Sequence, residues 1–476
     1  MGKLDYVDIL TNIKGVKHIE KLQITQKFNE HSMLDLLLLM KDSAEHKQIL
    51  ENTKVIQVYN AGEKKGPIFQ GIILKGEVKH SGKLYFLHIK AISFSYLLDV
   101  QRNCSSFQDT SSSYLSIIKS VIKKYDNAAV IDRLTEGKTT DQILLQYQET
   151  DWSFIKRLAS HFYSGVIVDA TQDSPKFILG AYGTANAGKL EEFSYVLEKD
   201  IAGYMQVSQN GKSGVSEKDF MYYKIKSEED FAIGDIVSYQ KDSFYLKEKY
   251  TELEKGRIVH TYRLAPKTGF LVEKYWNMDI IGLSLKGKVL SVNCDKVKVH
   301  LEIDSSQDEG KAYEFLYTTM YAAEGHAGWY CMPEKNDIVQ IYFPAKDEAE
   351  AVAMESLRQS EEPVSAIGDP AVKLLRTAEG KEIKISKDGI TITCCNGENK
   401  KTGEKNVIYI DLKDSSGIKL TSTKSVSITA DEDLTLTSKK KLILSATDEI
   451  TLKCKTSQIK LDQTSADIAA KEVKIN

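Results

Sequence analysis

No run in this sequence is long and apolar enough for a membrane helix. The greasiest stretch, MLDLLLLM at 33–40, contains Asp35 and stops far short of the ~20 residues a span needs. Met1-Gly2-Lys3-Leu4-Asp5-Tyr6 holds no apolar core of signal-peptide kind, so the chain is expected to be made and assembled in the cytoplasm. It could still leave later as part of an assembly. Cysteine is sparse: Cys104, Cys294, Cys331, Cys394, Cys395 and Cys454 contain no CxxC pair, which suits free thiols in a reducing compartment. A charge surplus is missing too. The 64 Lys and Arg nearly balance the 67 Asp and Glu, leaving no basic footprint for nucleic acid or an anionic membrane surface, so the expected partner is protein. Finally, no GxSxG, HExxH or GxGxxG occurs, and no catalytic residue, metal site or cofactor is expected.

What is present is enough for ordinary cores. At 476 residues and 42% apolar content, the length suggests roughly three domains of about 150 residues. Up to residue 278 strands dominate, among them KLQITQKF, SMLDLLLLM and GIILKGEVKH. Two helices interrupt them. In SSSYLSIIKSVIKKY, Tyr114, Ile117, Ile118, Val121, Ile122 and Tyr125 recur at helical spacing behind a serine cluster able to cap the first turn. In ETDWSFIKRLASHF, Trp152, Ile155, Leu158, Ala159 and Phe162 form one face. Glu149 and Asp151 near its start, with Lys156 and Arg157 following, carry the signs the helix dipole favours.

Residues 279–358 change to a compact β unit. Val292, Cys294, Val297, Val299, Leu301 and Ile303 are expected on one face, as in strands curled into a small barrel. A linker or neck is expected at 359–380. After Pro370 there is no Pro, Trp, Phe, His or Met.

The segment 381–476 contains an octapeptide repeat. GIKLTSTK, SVSITADE, DLTLTSKK, KLILSATD and EITLKCKT run without a gap from Gly417 to Thr456. Their second places are Ile418, Val426, Leu434, Leu442 and Ile450; their fourth places are Leu420, Ile428, Leu436, Leu444 and Leu452. The sixth places, Ser422, Ala430, Ser438, Ala446 and Cys454, are all small. Places two, four and six share one side of a strand, so each repeat offers two aliphatics and one small residue inward and then turns on charged residues. The pattern slips by one at Gln458, resumes with Ile459 and Leu461, and ends at Val473, Ile475 and Asn476. One face of such a strand needs stacked neighbours. Three chains winding together would satisfy both the burial and the edge hydrogen bonds, which points to a trimeric β-prism. A single-chain solenoid and a flat sheet are the alternatives.

The stretch QYQETDWSFIKRLASHF (146–162) resembles the hub helix of VgrG and phage late-control D proteins, whose pattern is Q-Y-x-E-[ST]-D-x-x-F-x-x-R-L. Gln146, Tyr147, Glu149, Thr150, Asp151, Phe154, Arg157 and Leu158 match it. The Phe107-Gln108 pair before a helix, the barrel segment AGWYCMPEKNDIVQIYFP and the octads resemble the same family in the same order: hub, OB barrel, needle. The resemblance implies a mainly β fold: a hub of β-barrels with α+β insertions, an OB-fold barrel, and a C-terminal triple-stranded β-helix. It also implies the homotrimeric spike and hub of a contractile injection system, such as a phage tail, tailocin, extracellular injection particle or type VI secretion machine. Inner tube and baseplate proteins, effector cargo and a transiently met target membrane would be its partners. The cell-wall hydrolase that some phage spikes insert after the barrel has no room in 358–380, and no effector domain is expected after the octads. The last histidine is His326, so the His-x-His iron site of some needle points is missing. A PAAR-like tip protein on the end formed by Val473, Ile475 and Asn476 is then implied.

Other motifs have bland explanations. GKS at 211–213 lacks the glycine a phosphate loop needs at Gln206 and reads as a turn. Glu149 and Asp151 read as helix capping and packing rather than an acid-base pair. Cys394 and Cys395 are expected on opposite faces of a strand with no histidine nearby, and His326 stands alone beside a glycine turn. Two rival readings are a particle-tethered cell-wall hydrolase and an exported β-solenoid adhesin.

Overall fold

The structure is a computed structural model that describes residues 9–41, 46–60, 66–181, 186–210, 212–323, 327–357, 369–398 and 405–474. The chain divides into two compact units, Met1–Gln359 and Ser360–Asn476.

In the first unit a 12-stranded sheet takes in the strands Val16–Lys27, Met33–Met40 and Leu84–Ser93 side by side. The apolar run at 33–40 is one of its inner strands. Leu34, Leu36, Leu38 and Met40 alternate into the core with Leu22, Ile24, Leu87 and Ile89. Asp35 faces the other way, where Lys21 Nζ reaches it at 2.8 Å and His88 Nε2 at 2.6 Å, which is why a charge is tolerated in that run.

Both expected helices form. The Tyr114–Ile122 helix is capped by Ser113, whose side chain accepts from the Ser116 amide, and the Asp151–Ser160 helix is capped in the same way by Thr150. Their apolar faces close on one core with Leu98, Leu144, Val166, Phe177 and Leu179.

The β unit is a closed five-stranded barrel of Leu283–Asn293, Lys296–Leu301, Glu314–Tyr317, Val352–Leu357 and Ile338–Phe343. Val289, Val297, Val299, Leu301, Phe315, Val339, Ile341 and Phe343 fill it. Cys294 departs from the expected face. It occupies the tight turn between the first two barrel strands with φ +52°, exposed, because the chain must reverse there for Asn293 to pair with Lys296. Ile143 and Leu145, from the segment that leads into the hub helix, pack into this barrel core.

The second unit begins with a five-stranded antiparallel sheet: Lys373–Arg376, Glu382–Ser386, Gly389–Glu398, Lys405–Lys413 and Gly417–Ser422. Gly389 has φ +137°, and a Cβ there would strike the Leu412 carbonyl oxygen, so only glycine fits. A three-stranded sheet, Glu449–Cys454, Ser457–Asp462 and Ala466–Ala469, follows further on. Between 423 and 448 the chain forms no strand. Cys394 and Cys395 do not sit on opposite faces as simple alternation predicts. The register shifts between Thr393 and Cys395, and this bulge brings the two sulfur atoms within 3.9 Å.

Candidate functional site

The hub-signature residues lie on the Asp151–Ser160 helix and the strand that leads into it, and Tyr147 and Arg157 reach from there to the barrel. Phe154 and Leu158 are completely buried, and Tyr147 is half-buried against the barrel core, with its carbonyl accepting from Asn277 Nδ2 at 2.8 Å. Thr150 caps the helix, so neither Glu149 nor Asp151 does. Asp151 is instead the acceptor of a buried polar network. Asn103 Nδ2 (3.0 Å) and Gln146 Nε2 (2.9 Å) donate to one oxygen, Tyr125 OH (2.6 Å) to the other, and Lys124 Nζ lies 2.8 Å away. Gln146 also donates to the Glu149 carbonyl at 3.1 Å, fixing the turn into the helix.

Arg157 does more than complement the helix dipole. It is buried, and all three nitrogens of its fork are engaged: Nε and Nη2 hold Glu149 at 3.1 and 3.0 Å, Nη2 reaches the Leu145 carbonyl at 2.9 Å, and Nη1 donates to Glu348 Oε1 at 2.6 Å. Its guanidinium also lies over the Phe154 ring at 5.1 Å. Glu348 comes from the barrel's short turn Glu348–Glu350, and sequence reasoning missed it because the partner lies 191 residues away. Burial acts to lower the Arg157 value, but Glu348 and Glu149 outweigh it and hold the guanidinium charged.

The octad side chains form a different surface. In the five-stranded sheet, Leu375, Ile383, Ile392, Ile410 and Leu420 stand in register across successive strands, and beside them run Ile385, Ile390, Leu412 and Ile418. All nine are exposed, Ile418 at 78%. In the later sheet Leu452, Ile459 and Ile468 form another such row. Between the two sheets Val426, Ile428, Leu434, Leu436, Leu442 and Leu444 are exposed as well. Ile450 and Ser422 are half-covered, while Ala430, Ser438, Ala446 and Cys454 lie open. One chain therefore leaves its repeating aliphatics in water, an arrangement that marks an interaction surface. Val473 is exposed; Ile475, Asn476, Gly211 and His326 lie outside the described residues.

Among the described residues no group of three or more His, Cys, Asp and Glu could hold a metal ion. No described helix is long and apolar enough to cross a membrane.

The model of the phage tail baseplate hub (GPD) family matches residues 26–174, the stretch that carries the signature helix. Residues 26–174 are thus similar to a phage tail baseplate hub (GPD) domain. Among solved structures it resembles the Francisella PdpA–VgrG complex in its lidded form, with a TM-score of 0.55 at 11% identity over 86% of this chain and 76% of that one. It also resembles the E. coli c3393 protein, described as a type VI secretion component similar to the T4 tail proteins gp27 and gp5. That likeness has a TM-score of 0.53 at 12% identity and covers 73% of this chain and 100% of that one. No curated protein matches the sequence. At these identities the structural likeness speaks for the fold: mainly β, with the hub architecture of these tail proteins.

Proposed function

We propose that this protein is the homotrimeric central spike of a contractile injection system, working by shape and stiffness rather than by catalysis. The observation that carries the reading is the uncovered row of aliphatics in the second unit, on a chain whose residues 26–174 match the baseplate hub family. Among the described residues of a single copy nothing covers Ile418, Leu436 or Leu444. Two further copies of the same chain present identical rows, and winding three together buries all of them while supplying strand partners to 423–448. Lys, Asp and Thr at the remaining places keep the outside soluble.

In this reading the hub joins the inner tube and baseplate, the barrel centres the needle, and sheath contraction drives the needle through the target envelope. The end around Val473, Ile475 and Asn476 would seat a PAAR-like tip protein, and cargo would travel with it. The protein is assembled in the cytoplasm and delivered with the particle. Electron-microscopy class averages of the purified full chain are expected to show threefold symmetry; particles without it would count against the proposal.

A further inference from the structure

The joint between the hub helix and the barrel contains an imbalance that the spike function does not explain. Two carboxylates, Glu149 and Glu348, share the single guanidinium of Arg157. The side chains of Arg157 and Glu348 are 2% and 1% exposed and that of Glu149 is 11%, so water screens none of the three well. Moreover, Glu348 Oε2 is buried with no hydrogen-bond partner, although Oε1 receives a short bond from Arg157. Such an orphan oxygen leaves the negative charge at this joint poorly compensated.

The other charged and titratable groups around the joint do not repair the deficit. Asp279, from the turn Met278–Ile280, adds a further negative charge towards Glu149. Tyr114 faces Glu348 from the neighbouring helix, and burial and that carboxylate push its hydroxyl up to about 12, so it stays neutral. His161, at the end of the hub helix, is held neutral by burial, with Lys274 and Arg157 adding to the effect, and its value falls to about 3. Lys274 acts on His161 and is not among the groups that shift Glu149.

We infer that the Glu149–Arg157–Glu348 cluster is a proton-binding joint: with two carboxylates on one guanidinium, it takes up one proton at Glu149 and ties the hub helix to the barrel more firmly as the medium acidifies. Burial pushes the Glu149 carboxyl above its ordinary value of 4.5, and Glu348 and Asp279 push it the same way against the pull of Arg157. A carboxyl raised in the folded state binds its proton more tightly there than in the unfolded chain. Its contribution to stability is complete below the unfolded value and is lost as pH rises through the folded one. The window therefore opens near 4.5 and extends upward.

Tryptophan fluorescence tests this in the full chain, because Trp152, Trp276 and Trp329 all lie in the first unit and the second has none. Denaturant unfolding is followed from about pH 4.5 to pH 8 for the wild type, Glu149→Gln and Glu348→Gln. One proton bound on folding makes the wild-type unfolding constant rise by up to about tenfold per pH unit within the window. Relative to the wild type, Glu149→Gln should remove that rise, since other groups titrate equally in both proteins. Parallel wild-type and Glu149→Gln profiles would overturn the inference. Should a variant fail to fold, infrared difference spectra of the wild type between the two pH limits decide. A protonated-carboxyl carbonyl band that grows on acidification within that window supports the joint; its absence rejects it.

Discussion

Substituting Leu436 by Asp strikes the octad layer directly. In the single chain Leu436 is 63% exposed, so covering it removes most of a leucine surface from water, roughly 1–2 kcal/mol per copy. In the proposed trimer three copies would meet in one layer, giving roughly 3–6 kcal/mol for the leucines alone. Aspartate forfeits that gain and also forces three unpaired carboxylates into one apolar layer, each costing several kcal/mol more. The total exceeds roughly 10 kcal/mol, about seven decades in the assembly constant. Size-exclusion chromatography with light scattering should therefore find Leu436→Asp monomeric at concentrations where the wild type is assembled. Thr435→Asp, one residue away at an outward place, should behave like the wild type. If both variants assemble equally, the inward assignment of the fourth octad place is wrong. Leu444, 57% exposed in the next repeat, should respond to Asp in the same way.

Further outcomes concern the hub. Arg157→Met leaves Glu149 and Glu348 buried without their cation and should cost the first unit about 3–5 kcal/mol, read by tryptophan fluorescence in denaturant. Asp151→Ala deprives Asn103, Gln146, Tyr125 and Lys124 of their shared acceptor and should cost about 1–3 kcal/mol by the same assay. In a turbidity assay on purified cell wall the protein should clear nothing; clearing would favour the hydrolase reading.

Periodic features were legible in the sequence, because burial imposes its own spacing. The strand at 33–40, both helices and the closed barrel all follow from apolar residues recurring at two or at three to four positions. What stayed hidden depended on irregular backbone or on distance along the chain. A tight turn took Cys294 off its expected face, and a bulge undid the alternation of Cys394 and Cys395. Glu149, Asp151 and Arg157 were visible as charges near one helix, and the reading gave them capping, packing and dipole roles. Their actual partners, Asn103, Tyr125 and Glu348, come from elements that only the tertiary fold brings together. The octads showed the opposite pattern. Their repeat was plain in the sequence, while the fold of one chain leaves them uncovered, since among the described residues no segment supplies the matching surface.

Sedimentation equilibrium of the purified full-length chain bears most directly on the central claim. A species of three times the 53.5 kDa chain mass, persisting on dilution, is the predicted result. A stable monomer at 53.5 kDa would contradict it.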